Sequence, residues 1–221
     1  MTVHRGARSG MTLLEVIVAL TVAGAALAAG AAVLGFLTDQ QDRSGAQRIA
    51  SANAVRAMVR AWASGTRLST EGDAEFRGVP RGHTFGGTMS TPVDEHVDDQ
   101  LTFITSAPTD VAPSGTRVHI YMNHDDTMRV RGLVAELRPW RRAGAPMVVS
   151  LAPDATGFRA QYLSSLFSRR IWQDSWISTS VLPSAVELRI MFDTTASAAP
   201  TDRAAHALLS VPMTIVLAGR R

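Results

Sequence analysis

The sequence predicts an α+β protein in which a long N-terminal helix packs on antiparallel β-sheet. Three observations carry that reading. Residues 11 to 37 form an almost unbroken apolar run. The stretch from Thr38 to Ser64 contains no proline and carries apolar residues at helical spacing. Beyond residue 100, short alternating apolar runs recur between turn-forming residues.

The apolar run reads MTLLEVIVALTVAGAALAAGAAVLGFL, and Glu15 is its only charge. At about 1.5 Å of rise per residue, such a helix exceeds the ~30 Å hydrocarbon core of a bilayer. Before it stands MTVHRGARSG, with Arg5 and Arg8 and no acid. The positive-inside rule therefore keeps the N-terminus cytoplasmic and exports the rest. A secretory signal peptide is one rival, because AALAAG ends in a small-residue site at Gly30. The apolar run continues past it through Ala31, Val33, Leu34 and Phe36, which a signal peptide does not need. A plain signal anchor is the other rival. Neither gives a reason for Glu15. An acid at the centre of a membrane helix costs roughly 2.5–3.5 kcal/mol, and less near the interface. The run offers Glu15 no cation, so its partner is expected to come from elsewhere.

After the run, Val55, Met58, Val59 and Trp62 fall at i, i+3, i+4 and i+7 and mark one apolar helix face. Arg56 and Arg60 lie on another face. The helix is expected to continue to about Ala63 and to stop at Gly65, with Gly45 as a soft point. Strands are expected over Leu101–Thr105, Arg117–Met122, Met128–Leu137, Pro146–Leu151 and Phe158–Leu163, then Val186–Phe192 and Leu208–Leu217. Asn123–Thr127 reads as the tip of a hairpin, and Thr194–Asp202 as a loop between the last two strands.

All 22 basic residues are arginine and the net charge is only +3. No basic run with interleaved aromatics appears, so no nucleic-acid partner is expected. Cysteine is absent, which excludes disulfides, thiolate metal sites and a cysteine nucleophile. Asp94, Glu95, His96, Asp98 and Asp99 form the densest acidic cluster. It lacks the calcium-loop pattern and its glycine, and reads as a solvated loop. His119 and His124, with Asp125 and Asp126, are a weak zinc candidate, since a strand places residues five apart on opposite faces. Arg141-Arg142 and Arg169-Arg170 read as solvent-facing pairs. There is no G-x-S-x-G and no P-loop. No metal, no cofactor and no catalytic residue is expected.

The string Ser9-Gly10-Met11-Thr12-Leu13-Leu14-Glu15-Val16 resembles the processing motif of type IV prepilins and pseudopilins, with Met11 where phenylalanine is usual. The resemblance implies that a prepilin peptidase cuts between Gly10 and Met11 and methylates the new amino terminus at Met11. It also gives Glu15 a role in subunit assembly, facing the new α-amino cation of a neighbouring subunit. The implied layout is a removed leader over residues 1–10, a transmembrane helix over 11–37, its amphipathic continuation over 38–64, and a periplasmic, β-rich pilin-like head over 65–221.

In the second half, Trp172-Gln173-Asp174-Ser175-Trp176 precedes Leu182-Pro183-Ser184-Ala185-Val186-Glu187-Leu188. Together with Phe158-Arg159-Ala160-Gln161-Tyr162 upstream, these segments resemble the J-type minor pseudopilin of type II secretion. As plain structure, Trp172 and Trp176 are expected in the core and Pro183 in a turn before a strand. The resemblance implies an inner-membrane protein that is not an enzyme. Its partners would be the I- and K-type minor pseudopilins, at the tip of a filament whose shaft is the major pseudopilin. Two readings stand beside it: a minor pilin of a type IV pilus or DNA-uptake filament, and a membrane-tethered periplasmic enzyme.

Overall fold

A computed structural model describes residues 13–68, 76–80, 98–125, 130–141, 144–164, 170–193 and 200–217. Helix α1 runs from Leu13 to Ser64, 52 residues without a break. Its sequence is rich in alanine and leucine and free of proline, the composition that favours uninterrupted helix. The expected soft point at Gly45 is absent, for the helix passes straight through it. One glycine costs about 1 kcal/mol relative to alanine, too little to interrupt a helix with good formers on both sides. The chain divides into two compact units, Met1–Gln47 and Arg48–Arg221. In the first, every described residue is helical.

The second unit begins with the last turns of α1. Ala52, Val59, Trp62 and Ala63 are buried there, with Val55 and Met58 packed beside them, so the face read from the sequence is the face that meets the sheets. The helix ends at Ser64, and the Gly65 amide still bonds back to the Ala61 carbonyl at 3.1 Å. The chain then passes into the first strand.

Two antiparallel sheets follow. The first contains β1 (Thr66–Arg67), β2 (Phe76–Pro80), β3 (Asp99–Thr105), β4 (Thr116–Asn123), β5 (Gly132–Pro139), β6 (Met147–Ala152) and β9 (Trp176–Ser178). Its order is β6-β5-β4-β3-β2-β9, with β1 also paired to β3. The second contains β7 (Ala155–Ser164), β8 (Ile171–Gln173), β10 (Ala185–Phe192) and β11 (Met213–Val216), in the order β11-β10-β7-β8. The consecutive strands β8 and β9 lie in different sheets, so this short segment ties the two together.

Period-two alternation decides which side chains face the core. Leu101 pairs with Ile120 and Val118 with Leu137, and all four are buried. Within the first sheet Phe76 stacks on Phe103 at 6.3 Å between ring centroids, and across the sheets it meets Tyr162 edge-on at 5.9 Å. Each large apolar side chain buried in this core contributes about 1.5–3 kcal/mol. The result is a long apolar N-terminal helix packed onto antiparallel sheet, a pilin-like architecture.

The C-terminal region departs from the sequence reading. Residues 194–199 of the expected loop lie outside the described residues, but its end, from Pro200, and the start of the expected strand Leu208–Leu217 belong to helix α2 (Pro200–Ser210), and the strand is confined to β11. Proline at the first helical position and Asp202 in the first turn start a helix well. Ala205 and Leu209, four apart, bury one face of it. Two arginines of α1 hold its ends. Arg48 pairs with Asp202, and Arg56 Nη1 donates to the carbonyls of Leu208 (3.1 Å) and Val211 (2.6 Å). The cation thus sits on carbonyls that the helix itself leaves unsatisfied. Strands β1, β8 and β9 were also beyond the sequence reading, and the hairpin of β4 and β5 begins its return later, at Gly132.

Candidate functional site

Glu15 lies in the first turn of α1 and is exposed. It is the only charge between Leu13 and Leu37, where every residue is exposed, including Leu13, Leu14, Leu20, Leu27, Leu34 and Phe36. Such a surface is unfavourable in water, and the helix is long and apolar enough to cross a membrane. The other polar side chains of this stretch are disarmed locally. Thr21 Oγ1 donates towards the carbonyls of Ile17 (3.1 Å) and Val18 (2.9 Å), and Thr38 Oγ1 towards those of Leu34 (3.1 Å) and Gly35 (2.9 Å). A carboxylate has no hydrogen to give in that way. Its place in the first turn is electrostatically apt, because the helix N-terminus carries partial positive charge. Gly10 and Met11, the residues of the expected cut and methylation, lie outside the described residues.

The acidic cluster divides. Asp94, Glu95 and His96 lie outside the described residues, whereas Asp98 and Asp99 open β3. Asp99 is no part of a solvated loop. It is 3 % exposed, on the same strand face as Leu101 and Phe103, and its Oδ2 accepts the Ala160 amide of β7 at 2.7 Å. Burial pushes its carboxyl from 3.8 up to about 6, against the opposing pull of that hydrogen bond and of Arg159. Asp98 Oδ2 lies 2.6 Å from His124 Nε2. His119 goes elsewhere and stacks on Tyr121 at 4.6 Å. Burial lowers its affinity for a proton. The two histidines therefore do not converge, and Asp126 lies outside the described residues. Arg141 stands over the ring of Trp140 at 4.2 Å and Arg170 is exposed, while Arg142 and Arg169 lie outside the described residues.

The tryptophan-bearing segment has mixed exposure. Trp176 is 8 % exposed, and its indole Nε1 donates to the Val181 carbonyl at 3.1 Å. Trp172 is 42 % exposed, contrary to the expectation of two core tryptophans. It belongs to β8, a three-residue strand at the edge of its sheet among the described residues. Pro183 is buried just before β10, as expected. Phe158 and Tyr162 sit on the buried face of β7.

The burial of Asp99 was legible in principle, since DQLTFIT places it in phase with Leu101, Phe103 and Thr105. Nothing local marks Arg56 as the residue that holds α2, because its partners lie 152 and 155 residues away. No family model matches this chain, and no curated protein matches it.

Proposed function

We propose that this chain is a filament subunit of the type IV pilin class, a minor pseudopilin of type II protein secretion. On this reading it stands in the bacterial inner membrane with the head periplasmic, and it performs no catalysis. One observation supports it above the others: a single carboxylate in the first turn of α1, within a stretch from Leu13 to Leu37 that is otherwise uncharged, apolar and exposed. Removal of residues 1–10 leaves an α-amino cation at Met11, with an ordinary pKa of about 7.7–8.0. In a filament that cation meets Glu15 of the neighbouring subunit. Charges in a low-dielectric place need such partners, and the pairing fixes the axial register between subunits.

The head segments Phe158–Tyr162, Trp172–Trp176 and Leu182–Leu188 favour the J-type assignment. This chain then joins I- and K-type minor pseudopilins at the filament tip and primes assembly of the major pseudopilin. A minor pilin of a type IV pilus or DNA-uptake filament shares the same helix and the same acid, and the genes beside this one separate the two readings.

Intact mass of the protein from its native membrane tests the proposal. The expected mass is that of Met11–Arg221 plus one methyl group. The full precursor, or cleavage near Gly30, overturns the filament reading and returns the chain to ordinary anchored or exported domains, the tethered enzyme included.

A further inference from the structure

Strand β7 pairs with β10 along nearly its whole length, but with β8 only over Tyr162–Ser164. Upstream of β8 its second edge faces the start of β3, which belongs to the other sheet. Two links cross there. Asp98 and Phe158 form a parallel backbone bridge, and the Ala160 amide is accepted by the Asp99 carboxylate. A side-chain oxygen thus does the work of a strand carbonyl at the point where the two sheets join. Side chains that gain or lose a proton seldom hold such buried places.

We propose that the Asp98–Asp99 step is a proton-controlled clamp between the two sheets, tight when protons are bound and looser when they are released. The charged form of Asp99 is the costly one, since it is almost fully buried. Several groups around Asp99 bear on its charge. Arg159 of β7 favours the anion, whereas Asp174, in the bend between β8 and β9, and Asp98 disfavour it. Tyr162 of β7 feels the Asp99 charge, and its hydroxyl is buried without a hydrogen-bond partner. His124, just beyond β4, faces Asp98, its Nε2 2.6 Å from Asp98 Oδ2.

The sign follows from linkage. A carboxyl raised from 3.8 to about 6 binds protons more tightly in the folded state. Its stabilising contribution is complete below the unfolded value and is lost as pH rises through about 6. Between about pH 5 and pH 7.5 the equilibrium for opening should shift roughly tenfold.

Hydrogen exchange on the full chain in detergent, corrected for the intrinsic effect of pH, reads this directly. Peptides covering residues 98–105 and 155–164 should lose about tenfold in protection between those two pH values. Peptides from β5 and β6 should lose less. Asp99→Asn should abolish most of the loss, and His124→Gln should leave most of it in place. Equal protection at both pH values in the unaltered protein overturns the proposal, and that result does not depend on whether Asp99→Asn folds. The same loss in a folded Asp99→Asn protein overturns it as well.

Discussion

At the scale of single residues, Gly78 has the least room of the described glycines, because it lies against Tyr162. A Cβ on Gly78 would fall on the Tyr162 hydroxyl, so strand β2 passes the ring only because residue 78 has no side chain. Gly78→Ala should destabilise the head by about 2–4 kcal/mol, read as a lower midpoint in chemical denaturation. The hydroxyl itself is buried without a partner. Tyr162→Phe should therefore raise stability by about 1 kcal/mol and soften the effect of Gly78→Ala in the double variant. Gly132 is required for another reason. Its φ is +78°, and a Cβ would crowd the carbonyls of Ala152 and Pro153. None of these demands shows in the sequence, where a glycine in FRGVP looks only like a weak point in a strand. The buried face of α1 was legible because Val55, Val59 and Trp62 repeat at 3.6-residue spacing over several turns. The place of Tyr162 against Gly78 depends on a packing between two sheets that no local pattern encodes.

At the scale of elements, length governed what could be read. Strands β3, β4, β6, β7 and β10 are six to ten residues long, and each emerges from its own composition. Strands β8 and β9 have three residues each and exist by virtue of their neighbours. Helix α2 was misread because Thr194–Asp202 is small and polar. Its start at Pro200 and its buried Ala205 and Leu209 outweigh that composition. The helix also depends on a distant residue. Arg56→Met keeps the aliphatic packing but strips two carbonyls at the α2 C-terminus of their donor. It should cost about 1–2 kcal/mol in thermal unfolding. Arg56→Lys should recover only part of that, since both bonds come from Nη1, which stands further out along the side chain than a lysine ammonium reaches.

At the scale of the whole molecule, the exposed helix and the folded head make separate demands. The first unit contributes nothing to the buried core cluster, whereas the second, Arg48–Arg221, holds all of it. A fragment beginning at Arg48 should therefore be soluble and melt in one cooperative transition by circular dichroism. Conversely, Glu15→Leu should leave the full chain in the membrane while blocking its entry into filaments, seen by fractionation and by cross-linking to partner subunits. The head also carries a kinetic signature. Strand β9 pairs with β2 through Phe76↔Ser178 and Gly78↔Trp176, residues about a hundred positions apart. Closing so long a loop is entropically slow, and it waits until β2 has found β3 and β8 has found β7. The suture between the sheets should thus be the last seam to close in folding. A newly made chain would pass through a stage with both sheets formed and the seam still open, and in that interval its unpaired edges are most exposed to other chains.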